Sequence, residues 1–232
     1  MQLFVINPNA TVSMTDQIRR AALRAARPDT VLEVANPTDT PVTIEGYHDE
    51  AMAVPAMLAQ IRAAEARGAA GHVIACFDDP GLDAAREVAQ GPVIGICEAG
   101  VRVAGMIAAR FCVVTTLARA VPIIEDRVAH YGAARACRKV RCVDMPVLAL
   151  EETPREARRA LAAQVAKARD DDGAEAVILG CAGMSDLCAE LAQESGVPVI
   201  DGVDAAVRLV EALAGGYRTS KLGAYAAPRD KG

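Results

Sequence analysis

The 232-residue chain has no tryptophan, three phenylalanines and four tyrosines, an aromatic share of 3%. Bases of single-stranded nucleic acid stack on aromatic faces, so that class of partner is poorly served. Basic charge is also short. The 25 Lys and Arg against 30 Asp and Glu leave a net charge of −5, which repels a phosphate backbone. Long apolar runs are missing too: the longest charge-free stretch, Met1 to Thr15, is broken by Asn7, Pro8 and Asn9 and falls short of the roughly 20 residues of a membrane helix. It lacks the basic start and small-residue cleavage site of a secretory signal, so a cytoplasmic protein with no membrane and no nucleic-acid partner is expected. Nor is there a G-x-G-x-x-G, a P-loop or a zinc-type Cys/His spacing, and none of the four lysines sits at a strand end facing a cleft. No cofactor and no metal are expected.

What is present is a chain that can bury a core. Its hydrophobic content is 52% and its charged content 24%, which fits one domain of the upper size range or two small lobes. Apolar runs such as Met1–Ile6, Val31–Ala35 and His72–Phe77 alternate with helical spacing over Met14–Ala26 and the Ala-rich Glu50–Arg67. Parallel strands need a helical crossover to return, so this alternation predicts an α/β fold with mostly parallel sheets flanked by helices. The seven cysteines, an odd number, read as reduced thiols in that compartment.

The chain repeats itself. Gly68–Cys76 (GAAGHVIAC) aligns with Gly173–Cys181 (GAEAVILGC), since 173 − 68 and 181 − 76 both give 105, and Pro92–Gly95 meets Pro198–Asp201 one residue further out. Val5-Ile6-Asn7 has a counterpart in Val113-Val114-Thr115. A period of this length is too long for a solenoid. It predicts two pseudo-symmetric lobes: residues 1–98, completed by a C-terminal helix at about 206–232, and residues 99–205.

The duplication singles out Cys76 and Cys181. A lone strand cysteine is usually a small packing residue, but these two end equivalent strands, where open α/β sheets bind ligands. Both precede helix-start chemistry, which is expected to draw the thiol pKa toward neutrality. Thiols on opposite sides of one crevice suit inversion of a carbon acid, one acting as base and the other as acid. Cys97, Cys112, Cys137, Cys142 and Cys188 have no such pairing and read as packing or surface residues.

The chain resembles the aspartate/glutamate racemase superfamily, and within it the hydantoin and allantoin racemase group. The resemblance runs nearly full length through Ile6-Asn7-Pro8-Asn9, Ile44-Glu45-Gly46-Tyr47, Ala75–Asp83 (ACFDDPGLD), Val114-Thr115-Thr116, Leu179–Met184 (LGCAGM) and Pro198–Asp201. It implies a small-molecule substrate, a homo-oligomer, and Cys76 and Cys181 as the proton-transfer thiols. Asn7, Thr115, Thr116, Gly180 and the amides around Phe77, Asp78, Ala182 and Gly183 would line the cleft. Amino-acid racemases of the superfamily typically follow the first cysteine with Asn-Thr, whereas here Phe77-Asp78-Asp79 follow. Two acids disfavour a dicarboxylate and an aromatic ring suits a flat neutral one, so a five-membered cyclic ureide is expected.

Ile44, Tyr47 and Phe77 are candidates for the substituent pocket, against core, loop anchor and plain strand residue. Asp78 and Asp79 are candidates for capping the helix that follows. An amino-acid racemase, a maleate isomerase or malonate decarboxylase, and a non-catalytic two-lobed binding protein are the competing readings.

Overall fold

A computed structural model describes residues 1–229 of the chain. The first half runs β1 (Gln2–Ile6), α1 (Val12–Ala25), β2 (Val31–Ala35), α2 (Tyr47–Ala66), β3 (Gly71–Ile74), α3 (Leu82–Val88), β4 (Val93–Gly95) and α4 (Ile96–Ile107). The second runs β5 (Phe111–Thr115), α5 (Val121–His130), β6 (Cys137–Cys142), α6 (Ala149–Glu152), α7 (Pro154–Asp170), β7 (Ala176–Leu179), α8 (Cys188–Ser195), β8 (Val199–Asp201) and α9 (Gly202–Ala214). Every strand pairing is parallel, and the two sheets share one order, β2-β1-β3-β4 and β6-β5-β7-β8. The sequence repeat is therefore a repeat of topology.

Strands β3, β5 and β7 are buried at every residue, as expected of parallel strands covered on both faces by helices. Helix α2 opens three residues before the expected Glu50. Its Pro55 lies on the exposed face, where water can serve the carbonyl that the missing N–H leaves free.

Each half hands its last helix to the other. Helix α4 packs against β7, β8 and α5, while α9 packs against β3, β4 and α1, and the two helices also pack on one another. Their N-termini cross closely enough that a Cβ at Gly202 would stand 2.7 Å from the Ile96 carbonyl oxygen. The expected division between residues 98 and 99 falls in the first turn of α4. The C-terminal helix expected at about 206–232 is α9, which stops at Ala214. The following segment is tied to the first half. Thr219 donates from its amide to the Gln90 carbonyl and from its hydroxyl to the Gly91 carbonyl, and Lys221 Nζ donates to the carbonyls of Arg86 and Glu87. Residues 230–232 of that expectation lie outside the described residues. Among the described residues no helix is long and apolar enough to cross a membrane, and the seven cysteines are unpaired.

Candidate active site

The central strands of both sheets end at a common cleft. Beyond β3, the Ala75 amide still donates to the Ile6 carbonyl at 2.8 Å; beyond β7, the Gly180 amide donates to the Val114 carbonyl at 2.8 Å. These extra rungs carry the chain one residue past each strand and deliver Cys76 and Cys181 to the cleft. Gly180 sits tight against the neighbouring strand, since a Cβ there would lie 3.1 Å from both Thr115 Cβ and Val113 Cγ1. The Thr115 hydroxyl donates to the Gly180 carbonyl at 3.1 Å.

One cavity is lined by both thiols together with Ile44, Phe77, Asp78, Thr115, Thr116, Gly180 and Ala182. Three of the expected binding residues lie outside that lining. Asn7 is fully buried and spends its side chain on its own loop, its Nδ2 donating to Asn9 Oδ1, to Thr15 Oγ1 and to the Thr11 carbonyl. Tyr47 opens α2 at the surface with 62% exposure. Gly183 contributes behind Cys181, with its amide turned toward that sulfur. The amide of Asp78 is turned toward Cys76 in the same way, and 183 − 78 is again 105.

Sequence reasoning missed Asn9, Met14, Glu45, Ala75, Leu117, Ala120 and Val147, which complete the lining. Asn9, Glu45 and Ala75 belong to the quoted stretches, and Asn9 and Leu117 are equivalent under the repeat; Met14, Ala120 and Val147 carry no such mark. Glu45 also straps the cleft: its Oε1 accepts from the Val147 amide at 3.1 Å, joining a loop of the first half to one of the second. Beneath this strap the space open to water centres is about 40 Å3, enough for roughly three waters.

The expectation of thiols tuned toward neutrality is corrected by the structure. Burial pushes Cys181 up to about 11 and Cys76 well above the ordinary thiol value; the Asp78 charge raises both further, and the two facing amides offset only part of this. Desolvation wins because no regular helix starts at either sulfur. Five residues separate Cys76 from Leu82, the start of α3, across a turn with positive φ at Asp79 (47°) and Gly81 (62°). Cys181 leads into a 3-10 turn, Ala182–Leu187, before α8 begins.

The two neighbouring acids also differ from a simple capping pair. Asp79 caps α4, a different helix from the one that follows it. Its carboxylate accepts from the amides of Cys97 (3.1 Å) and Glu98 (2.8 Å) and from the Tyr131 hydroxyl (2.6 Å). Asp78 is 5% exposed, and among the described residues nothing hydrogen-bonds its carboxyl. Burial, then the nearby Glu50 and Asp79 carboxylates, push Asp78 up to about 7 against the pull of Arg127.

A duplicated parallel α/β fold with two cysteines on one cleft between its halves is the arrangement of a racemase. The chain belongs to the Asp/Glu/Hydantoin racemase family, whose model matches residues 3–210. It is 60% identical over 232 residues to a hydantoin racemase of Rhizobium meliloti, covering all of this chain and 96% of that one. An allantoin racemase from Klebsiella pneumoniae superposes with a TM-score of 0.97 at 46% identity, over 100% of this chain and 95% of that one. Arylmalonate decarboxylase shares the fold at a TM-score of 0.62 and 19% identity, over 93% of each chain.

Proposed function

We propose that the protein is a cofactor-independent racemase of five-membered cyclic ureides and that it prefers 5-substituted hydantoins to allantoin. The observation that carries this reading is the placement of Cys76 and Cys181 on one cavity at repeat-equivalent strand ends, each with an equivalent amide at its back. One sulfur, as thiolate, removes the proton from the ring carbon beside the carbonyl. The electron pair moves into the carbonyl to give an enolate, and the other thiol delivers its proton to the opposite face. The roles exchange for the mirror-image substrate. Thr115 and Thr116 and the backbone around Ala182 border the enolate, and Asn7 shapes the loop behind them.

The preference rests on the apolar side chains of the lining. Met14, Ile44, Phe77, Leu117, Ala120 and Val147 are apolar and suit an alkyl or aryl substituent better than a ureido group, whose donors they would leave unpaired. The relative at 60% identity is a hydantoin racemase. Tyr47, at the surface, is assigned a loop role at the mouth. We place the enzyme in the cytoplasm, where seven unpaired thiols stay reduced, and as a homo-oligomer of lobes 1–98 with the C-terminal segment and 99–205.

The test is incorporation of solvent deuterium at the ring carbon of optically pure benzyl- and isopropylhydantoin, with allantoin alongside and no added metal or nucleotide. Exchange with loss of optical rotation is expected, and both are lost in Cys76→Ser and in Cys181→Ser. Undiminished exchange in either variant removes the two-thiol mechanism.

A further inference from the structure

A pair of thiols that are both protonated cannot invert a carbon centre, since one must first lose its proton. Losing it to solvent would place a second negative charge in the cleft beside the Asp78 carboxylate, in surroundings that disfavour even one. A proton acceptor inside the cleft avoids this. Among the residues lining the cavity the other titratable side chains are Glu45 and Asp78, and no histidine is among them. Glu45 is engaged by the Val147 amide. The Asp78 carboxyl has no hydrogen-bond partner among the described residues, lines the same cavity as both sulfurs, and its charge raises both thiols.

We propose that Asp78 is the proton acceptor of the cleft and takes the proton of either Cys76 or Cys181 to generate the attacking thiolate. The inference rests on the racemase reading and adds a residue to it. In the step an S–H bond breaks and an O–H bond forms; the negative charge passes from carboxylate to sulfur, so the charge buried in the cleft stays the same. After the ring carbon has been deprotonated on one face and reprotonated on the other, Asp78 returns its proton to the sulfur left as thiolate.

The surroundings suit the role. Glu50 on α2 is 8% exposed, its Oε1 is buried without a partner, and its Oε2 lies 3.6 Å from the Arg127 guanidinium. Arg127, on α5, also donates from Nε to the Asp78 carbonyl at 2.8 Å, which holds the loop while leaving the carboxyl free. The charged and titratable groups around Asp78 are thus Glu50 on α2, Asp79 on its own loop, Arg127 on α5, Cys97 on α4, and the two cleft thiols. Burial, with the repulsion of Glu50 and Asp79 added, raises the carboxyl into the range where it can accept and return a proton near neutrality.

The experiment compares wild type, Asp78→Asn and Asp78→Glu in two assays across pH 5.5 to 9.5: kcat for racemisation of benzylhydantoin, and the rate at which iodoacetamide alkylates Cys76 and Cys181 in the ligand-free protein. Removing the carboxylate charge makes the thiols more acidic, so alkylation in Asp78→Asn is expected to quicken. Racemisation is expected to slow about 100-fold in kcat with KM within threefold, and to lose the rising limb near pH 7 that Asp78→Glu restores. That opposition separates a proton acceptor from a mere electrostatic burden, whose removal would speed both. An Asn variant that keeps the limb, or loses only KM, overturns the proposal and leaves the two-thiol racemase standing. A wild-type protein that exchanges no ring hydrogen overturns both.

Discussion

Replacing Asp79 by alanine should cost far more than its position on a loop suggests. Three donors converge on this carboxylate: two amides of the first turn of α4 and the Tyr131 hydroxyl. Hydrogen bonds to a charged group contribute about 1.5–3 kcal/mol each when their loss strands a buried partner. Burial of the carboxylate itself offsets part of that gain, as its rise to about 7 shows. A net loss of about 3 kcal/mol is expected, which for a chain of this length lowers Tm by about 6–12 °C. Tyr131→Phe removes one of the three bonds and should cost about 1 kcal/mol. Urea unfolding at pH 7.5 of wild type, both single variants and the double variant closes the cycle. Because each single change deletes the same Tyr131–Asp79 bond, the double variant should lose about 1 kcal/mol less than the sum. A loss below 1 kcal/mol for Asp79→Ala, or strict additivity, would refute the reasoning that this carboxylate ties the Cys76 loop to α4.

Acid–base behaviour should follow the same two residues. Asp78 and Asp79 are both raised from 3.8 to about 7 in the folded protein, so the native state binds more protons between those values. Their contribution to stability is therefore complete below about pH 4 and is lost as pH rises through 7. The unfolding free energy should fall by about 4 kcal/mol from pH 5.5 to 8, and by about half as much in Asp78→Asn; a flat profile in wild type contradicts the assignment. Glu45→Ala should open the strap and quicken alkylation of Cys76 and Cys181 severalfold at fixed pH. Glu45→Gln, which keeps an acceptor for the Val147 amide but removes a charge near Cys181, should change Cys181 alone; equal effects of the two changes would show that the strap does not gate the cleft. Gly180→Ala pushes against Thr115 and Val113 and should cost about 1–3 kcal/mol in urea unfolding, with kcat falling as Cys181 is displaced, whereas an unchanged kcat would deny Gly180 its positioning role.

Much of the architecture was legible because apolar runs and helical spacing are local. The strand runs and the offset of 105 residues give an α/β fold of mostly parallel sheets in two related halves, with Cys76 and Cys181 at matching strand ends. What the residues could not reveal depends on contacts that neither apolar runs nor helical spacing mark, most of them distant in sequence. Asn7 has the composition of a cleft donor, yet Asn9, Thr11 and Thr15 lie near enough to occupy it. Asp79 precedes α3 in sequence but meets α4 in space. Thiol acidity was misjudged because helix-start residues were visible while the depth of burial and the Asp78 charge were not. Glu45 is unremarkable until the fold brings Val147, 102 residues away, to its carboxylate.

The repeat is symmetric where inversion needs symmetry and asymmetric where it does not. Cys76 and Cys181 occupy matching positions, and so do the amides of Asp78 and Gly183 behind them. The side chains at that last pair differ completely, a carboxylate in one half and a hydrogen atom in the other. A second acid at 183 would add another negative charge near Cys181, whose thiol burial already drives to about 11. One carboxyl on the cavity of both sulfurs, in the proposed role of shared acceptor, serves either direction of turnover, because microscopic reversibility asks for the same groups in reverse order. Divergence at this position therefore preserves the two-sided chemistry that duplication made available, and it predicts that Gly183→Asp slows both enantiomers of a hydantoin alike in a polarimetric assay. A variant that slowed one hand only would show that the second acid acts on Cys181 alone and that a single shared acceptor does not serve both thiols.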